Sequence, residues 1–224
     1  MIDVFPDEIL RLGALRITDV ALASLALSVL LAVSGIVAQR FATTGFVLEL
    51  LYESLETFLR RMVSVDPTPL VPLILTQWIF ILASNLAGLL PGVQSPSRDL
   101  SFAAALAVIA WVAAHVFAWR QVGWSYLRQY VTPHPLLLPF NVMGEVSRTI
   151  AMALRLFGNM LSSALIGAVV LYLAAFLVPV PLMVLGVLTA VVQAYLFGTL
   201  TLVFSAGAVE ASRPREVASE GEPE

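Results

Sequence analysis

Arg155 is the only charged residue between Thr149 and Val209, a stretch that is otherwise almost wholly apolar. An arginine at the depth of a bilayer centre costs at least ~2.5–3.5 kcal/mol on insertion scales, so its presence points to a task. The guanidinium stays charged at any physiological pH and cannot relay a proton. It can attract a carboxylate, hold it ionised, and bar cations from passing directly. Snorkelling to the surface does not account for it, because Arg148 already lies two turns nearer that surface. No acid occurs within the apolar stretch. Glu145 is ten residues away, about 15 Å along a helix. The counter-charge must therefore be water, a carbonyl, or an acid on another chain.

Arg155 has company. Glu145, Arg148, Arg155, Asn159 and Ser162 recur near whole turns of a helix and form one polar stripe. A weaker stripe, Gly186, Thr189, Gln193 and Thr201, lies on the following apolar segment. Gln77 and Asn85 share a helix face, and they either bond a neighbouring helix or line a water path. His115 is read as a helix–helix or interface residue, with a proton relay as the other reading. The two histidines, His115 and His134, have no ligand spacing around them, and the chain has no cysteine, so no metal site or other cofactor is expected.

The elements that position these residues follow from hydropathy. The chain has 224 residues, 59% hydrophobic and 12% charged, with mean hydropathy +0.92. Soluble domains are roughly 45–50% apolar and about 25% charged, so the bilayer is the natural solvent. A net charge of −3, with dispersed arginines and no lysine, excludes nucleic acid as a partner. We expect an all-α polytopic fold, one membrane domain over 1–210 with crossings near 20–39, 67–90, 100–119, 140–177 and 182–209. The first apolar run is too long, and its flank too mixed in charge, for a cleaved signal peptide.

Residues 44–63 differ. Glu49, Glu53, Glu56 and Arg60 fall on one face, with Leu50, Leu51, Leu55, Phe58, Leu59 and Met62 largely opposite, the pattern of an amphipathic helix in the membrane interface. Asp99 is an N-cap for the third crossing. Residues 120–139 read as a loop, and Val178-Pro179-Val180-Pro181 as the turn of a long tilted hairpin. A helix of ~38 residues would be ~57 Å long, nearly twice the hydrocarbon thickness. Residues 211–224 are expected to be a flexible tail. Arg11, Arg16 and Arg98 fall on one side of this topology, and Arg40, Arg60, Arg61, Arg120, Arg128, Arg148, Arg213 and Arg215 on the other. That bias predicts an outside N-terminus and a cytoplasmic C-terminus.

Arg155-Leu156-Phe157-Gly158-Asn159-Met160, followed downstream by Gln193-Ala194-Tyr195-Leu196-Phe197, closely resembles the a subunit of F-type ATP synthases. The order of elements matches too, as do Leu89-Leu90-Pro91-Gly92 and Pro139-Phe140-Asn141. The resemblance covers essentially the whole chain. It implies a stator in the bacterial plasma membrane with two half-channels, passing H+ to and from carboxylates on a rotating ring of c subunits, alongside b-type stalk subunits and the rest of the synthase. It implies that Arg155 is the exchange partner of the ring carboxylate, and not an enzyme residue of this chain acting alone. Asn159, Gln193, Ser162, Ser163 and Thr189 would line the ion pathway, with Glu145 and Arg148 at the cytoplasmic end. Where many members carry an acid or a histidine, this chain has Ala164 and Gly186. The outer path is thereby left to hydroxyls, amides and water, with Asp99 and His115 as candidates. This departure, and Gly144-Glu145-Val146-Ser147-Arg148-Thr149, look more like the N-type subgroup, some of which move Na+. The competing reading from residues alone is an unrelated transporter or channel with an intramembrane arginine. A membrane hydrolase is excluded because Ser162 and Ser163 have no histidine or acid nearby in sequence.

Overall fold

A computed structural model describes residues 8–12, 15–38, 40, 42–88, 95–128, 130–131, 134–173 and 179–212. From Asp19 onward the regular structure among the described residues is helical, and five helices are long and apolar enough to cross a bilayer. A short antiparallel hairpin precedes them, β1 (Glu8–Leu12) and β2 (Leu15–Thr18), paired Arg11 to Arg16. Nothing in the sequence pattern of so short a pair announced it.

The helices are α1 (Asp19–Ala38), α2 (Ala42–Arg60), α3 (Val71–Ala87), α4 (Leu100–Val122), α5 (Ser125–Arg128), α6 (Leu138–Leu173) and α7 (Pro179–Ser212). Two expectations change at prolines. The segment 120–139 is not all loop: α4 runs on to Val122, α5 intervenes, and α6 begins at Leu138 with Pro139 in its first turn. Likewise Pro179-Val180-Pro181 opens α7 rather than forming the turn before it. The reason is the same in both places. The first-turn N–H groups have no partner within the helix, so proline loses nothing there. Residues 174–178, including Val178 of the expected turn, Pro91-Gly92 and Gln94, and the residues from 213 onward lie outside the described residues.

Between helices in lipid there is little hydrophobic driving force, and close packing of small side chains takes its place. On α4, Ala103, Ala107, Ala110, Ala114 and Ala118 are buried and recur at helical spacing, so α6 and α7 can both lie against this one seam. Helix α7 fills the space between α3 and α4, and at Gly198 it comes against side chains of α3. A Cβ there would collide with the Trp78 ring and lie 3.1 Å from Ile74 Cγ2. Two apolar cores result. One holds Leu59, Val71, Ile74, Phe117, Leu202 and Val209. The other holds Ile81, Ala107, Met152, Leu156, Ala194 and Phe197.

Helix α2 divides its apolar face. Leu55 and Leu59 are buried in the first core, whereas Leu50, Leu51, Phe58 and Met62 stay exposed. A polar clasp ties its end to the start of α3: Arg60 pairs with Glu56 at 2.8 Å and Asp66 at 3.0 Å, and donates to the Thr68 hydroxyl. Hydrogen bonds from the Thr68 hydroxyl and amide, with Arg60 nearby, hold the Asp66 carboxyl below its ordinary range.

Candidate functional site

Helix α6 is 36 residues long, about 54 Å at ~1.5 Å per residue, and Arg155 stands at its midpoint. The buried face of this helix is set by Met152, Ala153 and Leu156. Arg155 lies to the side of that face and is exposed, flanked by exposed Ile150, Leu154 and Leu165. Among the described residues it has no hydrogen bond or ion pair. A permanent cation thus stands on an outward apolar surface at mid-helix, with its donors free.

The polar stripe splits around it. Toward the start of α6, Glu145 and Arg148 pair at 3.2 Å, Thr149 Oγ1 donates to the Glu145 carbonyl, and the Arg148 guanidinium sits 4.3 Å over the Phe204 ring, a cation–π contact. These residues line a cavity of about 20 Å³ between α4, α5, α6 and α7, with Trp111, His115, Tyr126 and Thr201 among the others. That is room for roughly one water. Beyond Arg155, Asn159 is half-buried with its Nδ2 unpaired, and Ser163 donates to the Asn159 carbonyl at 2.9 Å. Ser162 is exposed.

On α7, Gln193 is buried and its Nε2 has no partner, while Thr189 and Thr201 turn their hydroxyls back to carbonyls of their own helix. Across the packed seam, α3 buries Gln77 and Asn85, and neither amide makes a hydrogen bond among the described residues. This disfavours the helix–helix bond within the chain, and a buried amide without any partner costs ~1–3 kcal/mol. At the same end, the 3₁₀ turn Pro96–Arg98 tucks inward: Ser95 and Ser97 are buried, with Ser95 Oγ 2.7 Å from the Ser84 carbonyl and 2.6 Å from Ser97 Oγ.

Asp99 and His115 do not share one end. Asp99 caps α4, accepting from Ser101 N at 2.7 Å. His115 is sixteen residues further along that helix, about 24 Å away, in the cavity with Glu145 and Arg148. The expectation that both serve the outer path is therefore corrected for His115, whose neighbours are those of the other end. Helix geometry alone required this separation once α4 proved continuous.

Tyr126 and Tyr130 went unnoticed in the sequence because they fall in a segment read as loop. Their hydroxyls are 2.8 Å apart, and Tyr130 Oη lies 3.4 Å from His115 Nε2. Burial pushes both phenols upward in pKa, with the Glu145 charge adding to the effect. Both stay protonated, so they act as hydrogen-bonding groups rather than charges. Their four-residue spacing beside a histidine-bearing helix was the available signal. Among the described residues, no three histidine or acidic side chains gather as a metal site.

The comparisons with known proteins identify the family. The family model described as ATP synthase A chain matches residues 18–206. A protein from Legionella pneumophila named ATP synthase subunit a is 44% identical over 79% of this chain and 74% of its own. One from Hahella chejuensis, ATP synthase subunit a 1, is 38% identical over 94% of this chain and 92% of its own. One from Albidiferax ferrireducens, also named ATP synthase subunit a, is 34% identical over 94% and 95%. An unrelated transporter is thereby set aside.

Proposed function

The chain belongs to the ATP synthase A chain family, a membrane component of F-type ATP synthase, and from that premise we propose that Arg155 is the fixed cation of its ion-translocating stator. The observation that carries the reading is the state of Arg155: exposed, without a hydrogen bond or ion pair among the described residues, at the midpoint of a helix long enough to cross the membrane. Of the partners open to such a charge, a carboxylate on another chain neutralises it most fully. A ring of c subunits presents carboxylates in turn, so the pairing forms and breaks as the ring rotates.

An ion, H+ or Na+, enters by one half-channel, neutralises a ring carboxylate, travels with the ring and leaves by the other. The cavity of Glu145, Arg148 and Thr149 supports the cytoplasmic half-channel. The unpaired amides of Asn159, Gln193 and Asn85, with Ser163, Thr189 and Ser162 nearby on the same helices, support the outer one, and Asp99 caps α4 at that end. The N-terminus lies outside and the C-terminus in the cytoplasm of a bacterial plasma membrane, in keeping with the arginine distribution. Each charge crossing is worth ~2.3 kcal/mol per 100 mV, so several must combine to drive one ATP. The chain conducts and does not itself catalyse.

Purification supplies the test. The chain should copurify with a c-ring and b-type stalk subunits, and Arg155→Ala should abolish ATP-coupled ion transport while the complex still assembles. A lone monomer with its own transport activity, or normal coupling in Arg155→Ala, refutes the reading.

A further inference from the structure

The cavity beside Glu145 contains a titratable lining that Arg155 does not require. We propose that His115, acting through Tyr130 and Tyr126, is a positioning residue for ion access at the Glu145 end: the charge on its imidazole sets whether Tyr126 offers a lone pair or a proton to the cavity. The inference rests on the half-channel reading above.

The hydrogen-bond geometry limits the choices. His115 Nδ1 lies 2.8 Å from the Trp111 carbonyl, an acceptor only, so Nδ1 carries a proton in either charge state. The ring is fixed further by Trp111, with centroids 4.2 Å apart, and by Tyr126, edge-on at 5.7 Å. Only Nε2 can change, and its neighbour is Tyr130 Oη at 3.4 Å, itself 2.8 Å from Tyr126 Oη.

With His115 neutral, Nε2 accepts from Tyr130, Tyr130 accepts from Tyr126, and Tyr126 turns lone pairs to the cavity. With His115 protonated, Nε2–H donates to Tyr130, Tyr130 donates to Tyr126, and the Tyr126 proton turns to the cavity. Each hydroxyl rotates and no bond to carbon changes. The groups facing the string from the packed elements are Glu145, Arg148 and Thr149 on α6, and Thr201 and Phe204 on α7. Of these, Glu145 is the one carboxylate that receives the new donor directly or through a water. A carboxylate so engaged attracts an incoming cation less, so access slows as His115 charges. Imidazole is the side chain whose charge changes in the physiological range, whereas the buried phenols do not titrate there.

The test uses the intact complex in vesicles, with the initial rate of ATP-driven charging followed by a voltage-sensitive dye, which reads H+ or Na+ alike. The rate of wild type is divided by that of His115→Gln and of Tyr130→Phe while the pH on the Glu145 side varies between about 5 and 8. The ratio should be near one at the alkaline end and fall about tenfold at the acid end, the weight of one hydrogen bond to a charged group. Tyr130→Phe leaves the histidine in place but cuts the string, so it should match His115→Gln. A flat ratio for either variant overturns the proposal. Arg155→Ala in the same vesicles is the separate control: lost charging there upholds the half-channel reading whatever the His115 outcome.

Discussion

Replacing Arg155 by leucine should stabilise the chain while destroying its function. On the insertion scale a central arginine costs ~2.5–3.5 kcal/mol and a leucine gains ~0.3–0.6, a swing of about 3–4 kcal/mol toward insertion. At 1.4 kcal/mol per tenfold, that is roughly two to three orders of magnitude. The sign depends on a structural fact: Arg155 is exposed and, among the described residues, makes no ion pair. Had it been half of a buried pair, removing it would instead cost ~3–5 kcal/mol by stranding the partner. Two assays read the two halves. Translocon insertion of an α6 segment, shortened until about half of the wild type inserts, should rise to near completion with Arg155→Leu. The full chain carrying Arg155→Leu should match or exceed wild type in detergent unfolding, yet its complex should show no ATP-coupled transport. A less stable full-length variant would mean that Arg155 has an intrachain counter-charge, and the reasoning would fail.

Glycine substitutions in α7 should have opposite signs at two positions. A Cβ at Gly198 meets the Trp78 ring, which Tyr195 holds from another side at 5.7 Å, whereas a Cβ at Gly207 meets nothing within 4 Å. Gly198→Ala should therefore destabilise by ~1–3 kcal/mol of overpacking, less the ~0.8–1 that alanine returns in helix propensity, and Gly207→Ala should be neutral or stabilising. Denaturant titrations followed by tryptophan fluorescence check this, and equal midpoints would count against the packing described. Acid should loosen the clasp between α2 and α3. The folded state holds the Asp66 carboxyl below its ordinary pKa, so its stabilising contribution is full above the ordinary value and is lost as pH falls through the lowered one. Hydrogen exchange at the Thr68 and Leu70 amides should accelerate over that acid range, and Arg60→Gln should shift the onset to higher pH.

The sequence made the crossings legible because hydropathy summed over a span is insensitive to detail. Arg155 was legible because charge inside an apolar run is costly wherever the run packs. What could not be read was which face of a uniformly apolar helix turns inward. Helix α4 is apolar all round, and the alanines from Ala103 to Ala118, rather than any polar–apolar contrast, choose its buried side. The same difficulty hid the inward tuck of Ser95 and Ser97. It also let His115 be grouped with Asp99, although the two stand at opposite ends of α4. Of the six apolar residues on the α2 face, only Leu55 and Leu59 are buried, in a cluster with Leu202 and Val209 far along the chain, and no local pattern encodes that.

The two polar regions along α6 explain why the arginine faces outward. Glu145, Arg148 and Thr149 lie on one side of Arg155, and Asn159 with Gln193 on the other. Between these regions the bundle interior is closed by Ile81, Leu156 and Phe197, all buried. An ion taking that interior route would leave water for an apolar core, at an idealised cost of tens of kcal/mol. The outward face of α6 offers the shorter detour, but Arg155 stands there and repels a bare cation. An ion neutralised on a carboxylate of another chain is not repelled, and the carboxylate, once emptied, is attracted. On the function proposed above, the apolar plug and the exposed arginine impose the same condition from two sides: passage needs a carrier that moves, and this chain by itself should leak very little.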